Sequence, residues 1–276
     1  MYAVSDGIMK FLVPVYGVHQ IAFLRTFFRF VPFCFLALYL RTNPLKTSHI
    51  GENILRAILA SCATYGFIAA YKFSPMTDVI VIAYTSSIFV LPLSVLILKE
   101  KFTAQNLIAV LLGFGGVILI FYPGCPMSHT SQIIDTMQFG LIFALIASLS
   151  TALNHVIIRR LALTDSELTI IFYHHLCLLI TSLCFGKVEF HHISTKYLGL
   201  ILIGGLLGAM AQYCTIHAHK LLKCVDLAPI TYLIFIPAIA IDYFFYGYFL
   251  NFRTIAGALC IIVGCWSATL HRKIYP

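Results

Sequence analysis

Long apolar stretches follow one another along almost the whole chain, separated by short polar breaks. Most of them have about 20 residues, the length at which an α-helix crosses a hydrocarbon layer of roughly 30 Å. The period-two alternation of a transmembrane β-strand does not appear in the sequence. The pattern therefore predicts an all-α integral membrane protein with ten transmembrane helices. They are predicted at residues 1–17, 20–40, 54–73, 76–98, 105–122, 138–158, 167–186, 197–219, 226–248 and 253–270.

The first predicted helix is shorter than a membrane-spanning helix needs to be. It begins at Met1 and reaches the polar residues Asp6 and Lys10 almost at once. A spanning helix needs an apolar first half, which is missing here. We therefore expect the true start to lie about ten residues upstream of Met1.

The composition agrees with a membrane protein and excludes a soluble globular domain. The chain has 276 residues, of which 61% are hydrophobic and 10% are charged, and its mean hydropathy is +0.95. The net charge of +8 is spread between the apolar stretches and is not collected in one basic domain. We therefore expect the lipid bilayer and a small molecule as partners, with homodimerisation in addition, and neither nucleic acid nor a cofactor.

The second half of the chain repeats the first at a constant shift of 148 positions, without a gap. Polar and aromatic residues coincide, which chance rarely produces in an apolar chain. The matched pairs include Tyr65/Tyr213, Lys72/Lys220, Asp78/Asp226, Tyr84/Tyr232 and Gly116/Gly264. We predict two repeats, residues 1–122 and 138–276, joined by an external linker at 123–137.

The distribution of basic residues predicts the orientation of the helices. With a cytoplasmic amino terminus, eleven Lys and Arg residues lie near inner helix ends and four near outer ends. This is the positive-inside bias, so both termini are predicted in the cytoplasm. Five helices per repeat is an odd number, and the second repeat is therefore inserted upside down. Inverted repeats place a binding site at their interface near the membrane midplane, as transporters do.

Several stretches resemble the drug/metabolite transporter superfamily, in particular its ten-helix EamA-type branch. The resemblance is carried by the ten apolar segments, AAYKFSP at 69–75, KEKFTAQN at 99–106 and the late glycines Gly116 and Gly264. A narrower likeness to S-adenosylmethionine uptake transporters of intracellular bacteria is carried by SDGIMK at 5–10, by 20–25 and by LKTS at 45–48. The resemblance implies a multi-pass transporter of the cell inner membrane that works by alternating access. It also implies a site lined by the first, third, fourth, sixth, eighth and ninth helices.

Ionisable residues inside the apolar segments are the first candidates for this site, because charge at membrane depth usually faces a cavity or a partner. Asp6 and Lys10 share a helical face at spacing i, i+4, either as a structural ion pair or as a gate or substrate contact. His155 and Arg159 have the same spacing on the sixth helix. Arg25 and Arg29 share a face of the second helix, either to attract an anion or gate the site, or to extend to the membrane surface.

The aromatic residues paired across the repeat suit an amphipathic or cationic metabolite, because tyrosine offers stacking, cation–π contact and a hydroxyl. Asn154 and Gln212 need polar partners in lipid and can bridge helices or touch substrate. The predicted substrate-binding residues are Asp6, Lys10, Tyr65, Tyr84, Asn154, His155, Gln212, Tyr213 and Tyr232.

Two further patterns have mainly structural interpretations. Adjacent histidines such as His174 and His175 point about 100° apart on a helix and cannot chelate together, so no metal site is predicted. An alternative role is pH sensing by His155 or by the loop pair His191 and His192. Gly204 and Gly208 form GxxxG on the eighth helix, which indicates close helix packing.

The leading hypothesis is a transporter of a small organic metabolite such as S-adenosylmethionine or a related amino-acid derivative. Export of amino acids, drugs or other metabolites fits the same fold. A membrane-embedded enzyme acting on lipid-linked substrates is disfavoured, because no nucleophile with a base and no metal triad is found. We therefore expect no enzymatic activity.

Overall fold

The computed structural model describes residues 1, 4, 5, 8, 12, 18–73, 76–101, 103–121, 131–185, 194–237, 240 and 252–274, and these residues form helices and turns without a strand. The longer helices are α1 (Val18–Tyr39), α2 (Ile50–Phe73), α3 (Met76–Ala83), α4 (Ser86–Leu98), α5 (Ala104–Phe121), α6 (Ser131–Ala162), α7 (Glu167–Phe185), α8 (Thr195–Leu221) and α10 (Phe252–Ile274). The short helix α9 (Cys224–Leu227) is followed by a 3₁₀ helix at Pro229–Ile234.

Four segments of the described chain are long and apolar enough to cross a membrane: Val79–Leu98, Phe139–Ala162, Glu167–Cys184 and Tyr197–Leu221. Large apolar side chains face outward, and Leu38 and Leu96 are 75% and 76% exposed. Such a surface would drive aggregation in water, whereas lipid tails solvate it. The chain is therefore an all-α, multi-pass membrane protein.

Helix ends are formed by local hydrogen bonds that the sequence encodes. At the start of α5 the backbone N–H of Asn106 donates to Thr103 Oγ1 at 3.4 Å, and at the start of α7 the N–H of Thr169 donates to Ser166 Oγ at 3.2 Å. These hydroxyls replace intrahelical partners that the first turn lacks. After α1 and α4 the chain turns through left-handed residues, Arg41 at φ 51° and Lys99 at φ 55°. A basic side chain suits the negative end of the helix dipole.

Four of the predicted helices, 20–40, 105–122, 167–186 and 197–219, match α1, α5, α7 and α8 to within two residues. The predicted helix 76–98 is instead divided into α3 and α4 by a turn at Tyr84 and Thr85. The predicted helix 226–248 starts with α9 and the 3₁₀ helix, where Pro229 cannot donate a backbone hydrogen bond. Of the predicted first helix, only residues 1, 4, 5, 8 and 12 are described, and 241–248 lie outside the described residues.

The chain forms two compact units, and each draws on both halves of the sequence. Unit 1 comprises Met1–Ser61, Ile157–Leu221 and Pro237–Tyr246, and unit 2 comprises Cys62–Val156, Leu222–Ile236 and Gly247–Pro276. The core of unit 1 is built on Phe33, Leu161 and Ile170. The core of unit 2 is built on Val117, Tyr232 and Ile261.

Within unit 2, α5 and α10 pack closely through glycines. A Cβ at Gly116 would lie 2.6 Å from the carbonyl oxygen of Gly257 and 2.8 Å from Ile261 Cγ1. A Cβ at Gly264 would lie 2.9 Å from the carbonyl oxygen of Ala109 and 3.3 Å from the nitrogen of Gly113. The two contacts correspond residue for residue at the shift of 148 positions. Each of these glycines therefore lets the two backbones approach more closely than any larger residue would.

Candidate functional site

The turn between α3 and α4 is stabilised by hydroxyl groups in unit 2. Thr85 Oγ1 lies 2.6 Å from the carbonyl oxygen of Ile82, to which it donates, and 2.9 Å from Ser148 Oγ of α6. Ser148 Oγ also donates to the carbonyl oxygen of Ala83 at 3.4 Å. Side-chain hydroxyls thus partner carbonyls next to the break in the helix, as a break at membrane depth requires.

Tyr232, on the 3₁₀ helix, joins this turn to the second half of the chain. Its hydroxyl donates to the carbonyl oxygen of Tyr84 at 3.2 Å, and the two rings have centroids 6.0 Å apart. The Tyr232 side chain is fully buried, and its ring occupies the space that a Cβ at Gly113 would need. The ring of Tyr84 also packs on Phe235, at 4.3 Å between centroids. Tyr232 therefore acts in this structure as a core residue that holds Tyr84.

A second polar contact links the same two segments. The hydroxyls of Ser87 and Thr231 lie 2.8 Å apart, and Thr231 Oγ1 donates to the carbonyl oxygen of Ala228 at 2.7 Å. The sequence analysis did not select these two residues. A serine early in an apolar segment was the available signal, because a hydroxyl in lipid needs a partner.

The predicted residues on α6 lie beside this region in unit 2. Asn154 is half-buried, and its Oδ1 has no hydrogen-bond partner among the residues that the structure describes. His155 is half-buried, and its carbonyl oxygen accepts a long bond from Cys224 Sγ at 3.6 Å. An amide oxygen held without a partner is costly and is available to a ligand. Asn154 is therefore the clearest candidate contact in this unit.

Arg159, one turn after His155, serves a different purpose. Its Nη1 donates to the carbonyl oxygens of His219 at 2.6 Å and Lys220 at 2.9 Å, at the end of α8. A guanidinium at a helix C-terminus satisfies carbonyls that have no intrahelical partner and interacts favourably with the dipole.

The remaining predicted residues have varied surroundings. Tyr65 and Gln212 are half-buried, whereas Tyr213 is 40% exposed and stacks on His217 at 6.0 Å. Asp6 and Lys10 lie outside the described residues. Among the described residues, no group of three His, Cys, Asp or Glu side chains is placed to hold a metal ion.

Arg29 is half-buried in unit 1. Its Nη2 donates to Ser5 Oγ at 3.0 Å, and Ser5 Oγ donates to the carbonyl oxygen of Gly204 at 2.9 Å. The guanidinium lies directly against Gly208, where a Cβ would collide with it. Gly204 contacts Ile8 and Gly205 contacts Phe28, so this glycine-rich stretch does pack closely, and Gly208 makes room for Arg29.

The sequence analysis missed a buried cation beside this region. Arg56 of α2 is fully buried, and its Nη1 donates to the carbonyl oxygen of Ile170 at 2.7 Å. Arg56 is one of the eleven basic residues that the orientation analysis places near inner helix ends. The signal lay in its helical position, since the buried residues Asn53, Ala57 and Ala60 share its face.

Comparison with known proteins agrees with the helical membrane fold. The EamA-like transporter family model matches residues 1–122 and 138–270. The S-adenosylmethionine uptake transporter of Rickettsia prowazekii is 24% identical over 260 residues, 94% of this chain and 85% of that protein. Solute carrier family 35 member G1 of mouse is 27% identical over 82% of this chain and 65% of that protein.

A protein known from a crystal structure has the same fold. The structural match covers 100% of this chain and 96% of that protein's chain, with a TM-score of 0.81 and 13% sequence identity. The family model thus matches both halves of this apolar helical chain. The chain belongs to the EamA-like transporter family and is a multi-pass membrane transporter.

Proposed function

We propose that this transporter moves a small organic metabolite by alternating access between two inverted five-helix repeats. The repeats are residues 1–122 and 138–276, joined by the external linker 123–137, and together they form ten transmembrane helices. Two similar repeats of opposite orientation have two nearly equivalent packings, one open to each side of the membrane. The substrate site lies near the midplane, between the repeats.

The reciprocal contact of α5 and α10 is the observation that carries this proposal. Gly116 meets Gly257 and Ile261, and Gly264 meets Ala109 and Gly113, their equivalents at the shift of 148 positions. A two-fold axis relates contacts in this way, because residue i touches j and the equivalent of i touches the equivalent of j. The Tyr84 and Tyr232 pair adds a second meeting of equivalent residues.

The cargo in this proposal is S-adenosylmethionine or a related amino-acid derivative. The supporting observation is that relatives named as S-adenosylmethionine uptake transporters match over 94% of the chain. The positive sulfonium centre would interact with tyrosine rings such as Tyr84, and Asn154 Oδ1 would accept a hydrogen bond from the cargo. The proposed site residues remain those selected from the sequence.

The proposed location is the cell inner membrane, with both termini in the cytoplasm. The excess of Lys and Arg at the predicted inner helix ends supports this orientation. Homodimerisation is part of the proposal as well, because outward-facing apolar side chains remain available to a second copy.

Uptake of radiolabelled S-adenosylmethionine into proteoliposomes tests the cargo. We expect saturable uptake that unlabelled S-adenosylhomocysteine inhibits and that Asn154→Leu reduces at least about tenfold, since the substitution removes the amide that accepts from a charged cargo. Leu149→Ala, an exposed position on the same helix, is the matched control and keeps uptake. Absence of uptake by folded protein would contradict this cargo.

A further inference from the structure

Unit 1 contains cationic and imidazole side chains on three helices, of which Arg56 and His175 are buried and the others are half-buried. Arg25 and Arg29 come from α1, Arg56 from α2, and His174 and His175 from α7. Phe33, one helical turn after Arg29 on α1, stacks on His175, and Arg56 donates to the carbonyl oxygen of Ile170, which is on the same helix as His175. We call Arg29, Arg56 and His175 the cationic cluster.

The two arginines of the cationic cluster are held from within the protein. Arg56 is fully buried and bonds the carbonyl oxygen of Ile170, and Arg29 bonds Ser5 Oγ while lying on Gly208. Arg56 therefore does not snorkel to the membrane surface in this conformation, and Arg29 is half-buried. Gly208 leaves space for the guanidinium of Arg29, and this close contact fixes the position of the guanidinium.

His175 has capacity to bind a ligand. Its side chain is 2% exposed, and neither ring nitrogen has a hydrogen-bond partner among the residues that the structure describes. The ring stacks on Phe33 with centroids 6.1 Å apart and an interplanar angle of 17°. A neutral imidazole carries one N–H donor, and leaving such a donor buried without a partner is unfavourable.

The chemistry of the cationic cluster selects an anion. A guanidinium has five N–H donors and accommodates more than one partner, and its planar fork matches a carboxylate in a bidentate arrangement. An imidazole N–H adds a further donor. Charge-assisted hydrogen bonds of this kind are the strong ones at low dielectric.

We propose that Arg29, Arg56 and His175 form a carboxylate-binding site in unit 1. The site receives the carboxylate of the amino-acid-like cargo, and in this respect the inference rests on the proposed function. It gives the transporter three residues that select an anionic group.

Acetate tests the site without assuming the cargo. Purified full-length protein, labelled with ¹⁵N at histidine, is titrated with sodium acetate in non-ionic detergent at constant ionic strength, with chloride as the exchanged anion. The signal of His175, assigned with His175→Gln, is expected to shift in a saturable way. Arg29→Gln weakens the acetate affinity by at least about tenfold, as the loss of one charge-assisted hydrogen bond predicts.

Two variants separate a binding site from general effects of charge or folding. Gly208→Ala removes no charge, but its Cβ displaces the flexible guanidinium of Arg29, so acetate affinity falls while the helix remains folded. Arg160→Gln removes one charge from an exposed pair with Glu52 at 3.1 Å and leaves acetate affinity unchanged. Equal acetate affinity of the wild type and Gly208→Ala would overturn the site.

The cargo is tested separately by comparing S-adenosylmethionine with its decarboxylated analogue. We expect the wild type to bind the carboxylate form at least about tenfold more tightly and Arg29→Gln to lose this preference. Binding of acetate without binding of S-adenosylmethionine would contradict the cargo of the proposed function and keep the anion site. Acetate binding that appears only in Asp6→Asn would show that Asp6 fills the cluster, and would overturn the inference.

Discussion

At the scale of single residues, burial changes the role of a residue that the sequence marks as special. Tyr232 and Tyr84 coincide at the shift of 148 positions, and the sequence analysis predicted both as substrate-binding residues. In the structure Tyr232 is fully buried and donates to the Tyr84 carbonyl oxygen at 3.2 Å. Its substitution therefore changes both the packing and the shape of the site. Loss of transport in Tyr232→Ala alone would not identify a substrate contact.

Two substitutions of Tyr232 distinguish its ring from its hydroxyl. Tyr232→Phe removes one hydrogen bond and is expected to lower the free energy of unfolding by about 1 kcal/mol. Tyr232→Ala leaves a large cavity beside Gly113 and is expected to lower it by about 3–5 kcal/mol. Thermal unfolding in detergent measures both. A Tyr232→Ala protein as stable as the wild type would contradict the role in the core.

The left-handed residue after α1 gives a second prediction at this scale. Arg41 has φ 51°, a conformation that costs a side-chain-bearing residue about 1–2 kcal/mol and glycine nothing comparable. Arg41→Gly is expected to be tolerated, whereas Arg41→Val lowers the thermal unfolding temperature well below that of the glycine variant. Equal unfolding temperatures of the two variants would show that this turn relaxes freely.

At the scale of elements, α5 and α10 pack against each other through glycines. Gly116 and Gly264 let the backbones approach, and the contact made by each is the repeat-related copy of the other. Exposed apolar side chains of these helices, such as Leu111 and Leu259, need no such fit in lipid.

The repeat-related glycines are therefore expected to respond alike. Gly116→Ala and Gly264→Ala each overpack the contact and are expected to cost about 1–3 kcal/mol of stability. Gly115→Ala is the matched control, because no heavy atom lies within 4 Å of a Cβ at that position. Stability is measured by thermal unfolding. Loss in only one of the two variants would contradict a two-fold relation.

Hydrophobic periodicity predicts where helices exist, because lipid imposes the length and polarity of each span. It did not predict the turn at Tyr84 and Thr85, since apolar residues continue on both sides and the turn depends on Ser148 of α6. The sequence analysis missed the burial of Arg56 for a similar reason, because its hydrogen-bond partner Ile170 is 114 positions away along the chain. Pro229 is a helix-breaking signal in the sequence, and the 3₁₀ helix that follows α9 begins at this residue.

At the scale of the whole molecule, the family and the helical membrane fold follow from properties spread over the entire chain. The sequence predicted both, because the apolar composition and the positions that match at a shift of 148 are recognisable even though the identity to relatives is low. The cargo depends on a few side chains, and those are placed by contacts between distant segments such as Ser87 with Thr231 and Arg29 with Ser5.

Access to Asn154 from the two sides of the membrane tests alternating access most directly. A single cysteine at Asn154, in a protein whose nine native cysteines are replaced, is treated with a membrane-impermeant thiol reagent in right-side-out and in inside-out vesicles. We expect labelling from both sides, with S-adenosylmethionine protecting the thiol. Leu149→Cys, on the exposed apolar face of α6, remains unlabelled from either side, and Lys223→Cys reacts from one side only. Labelling of the Asn154 position from a single side, or from neither, would contradict transport by alternating access.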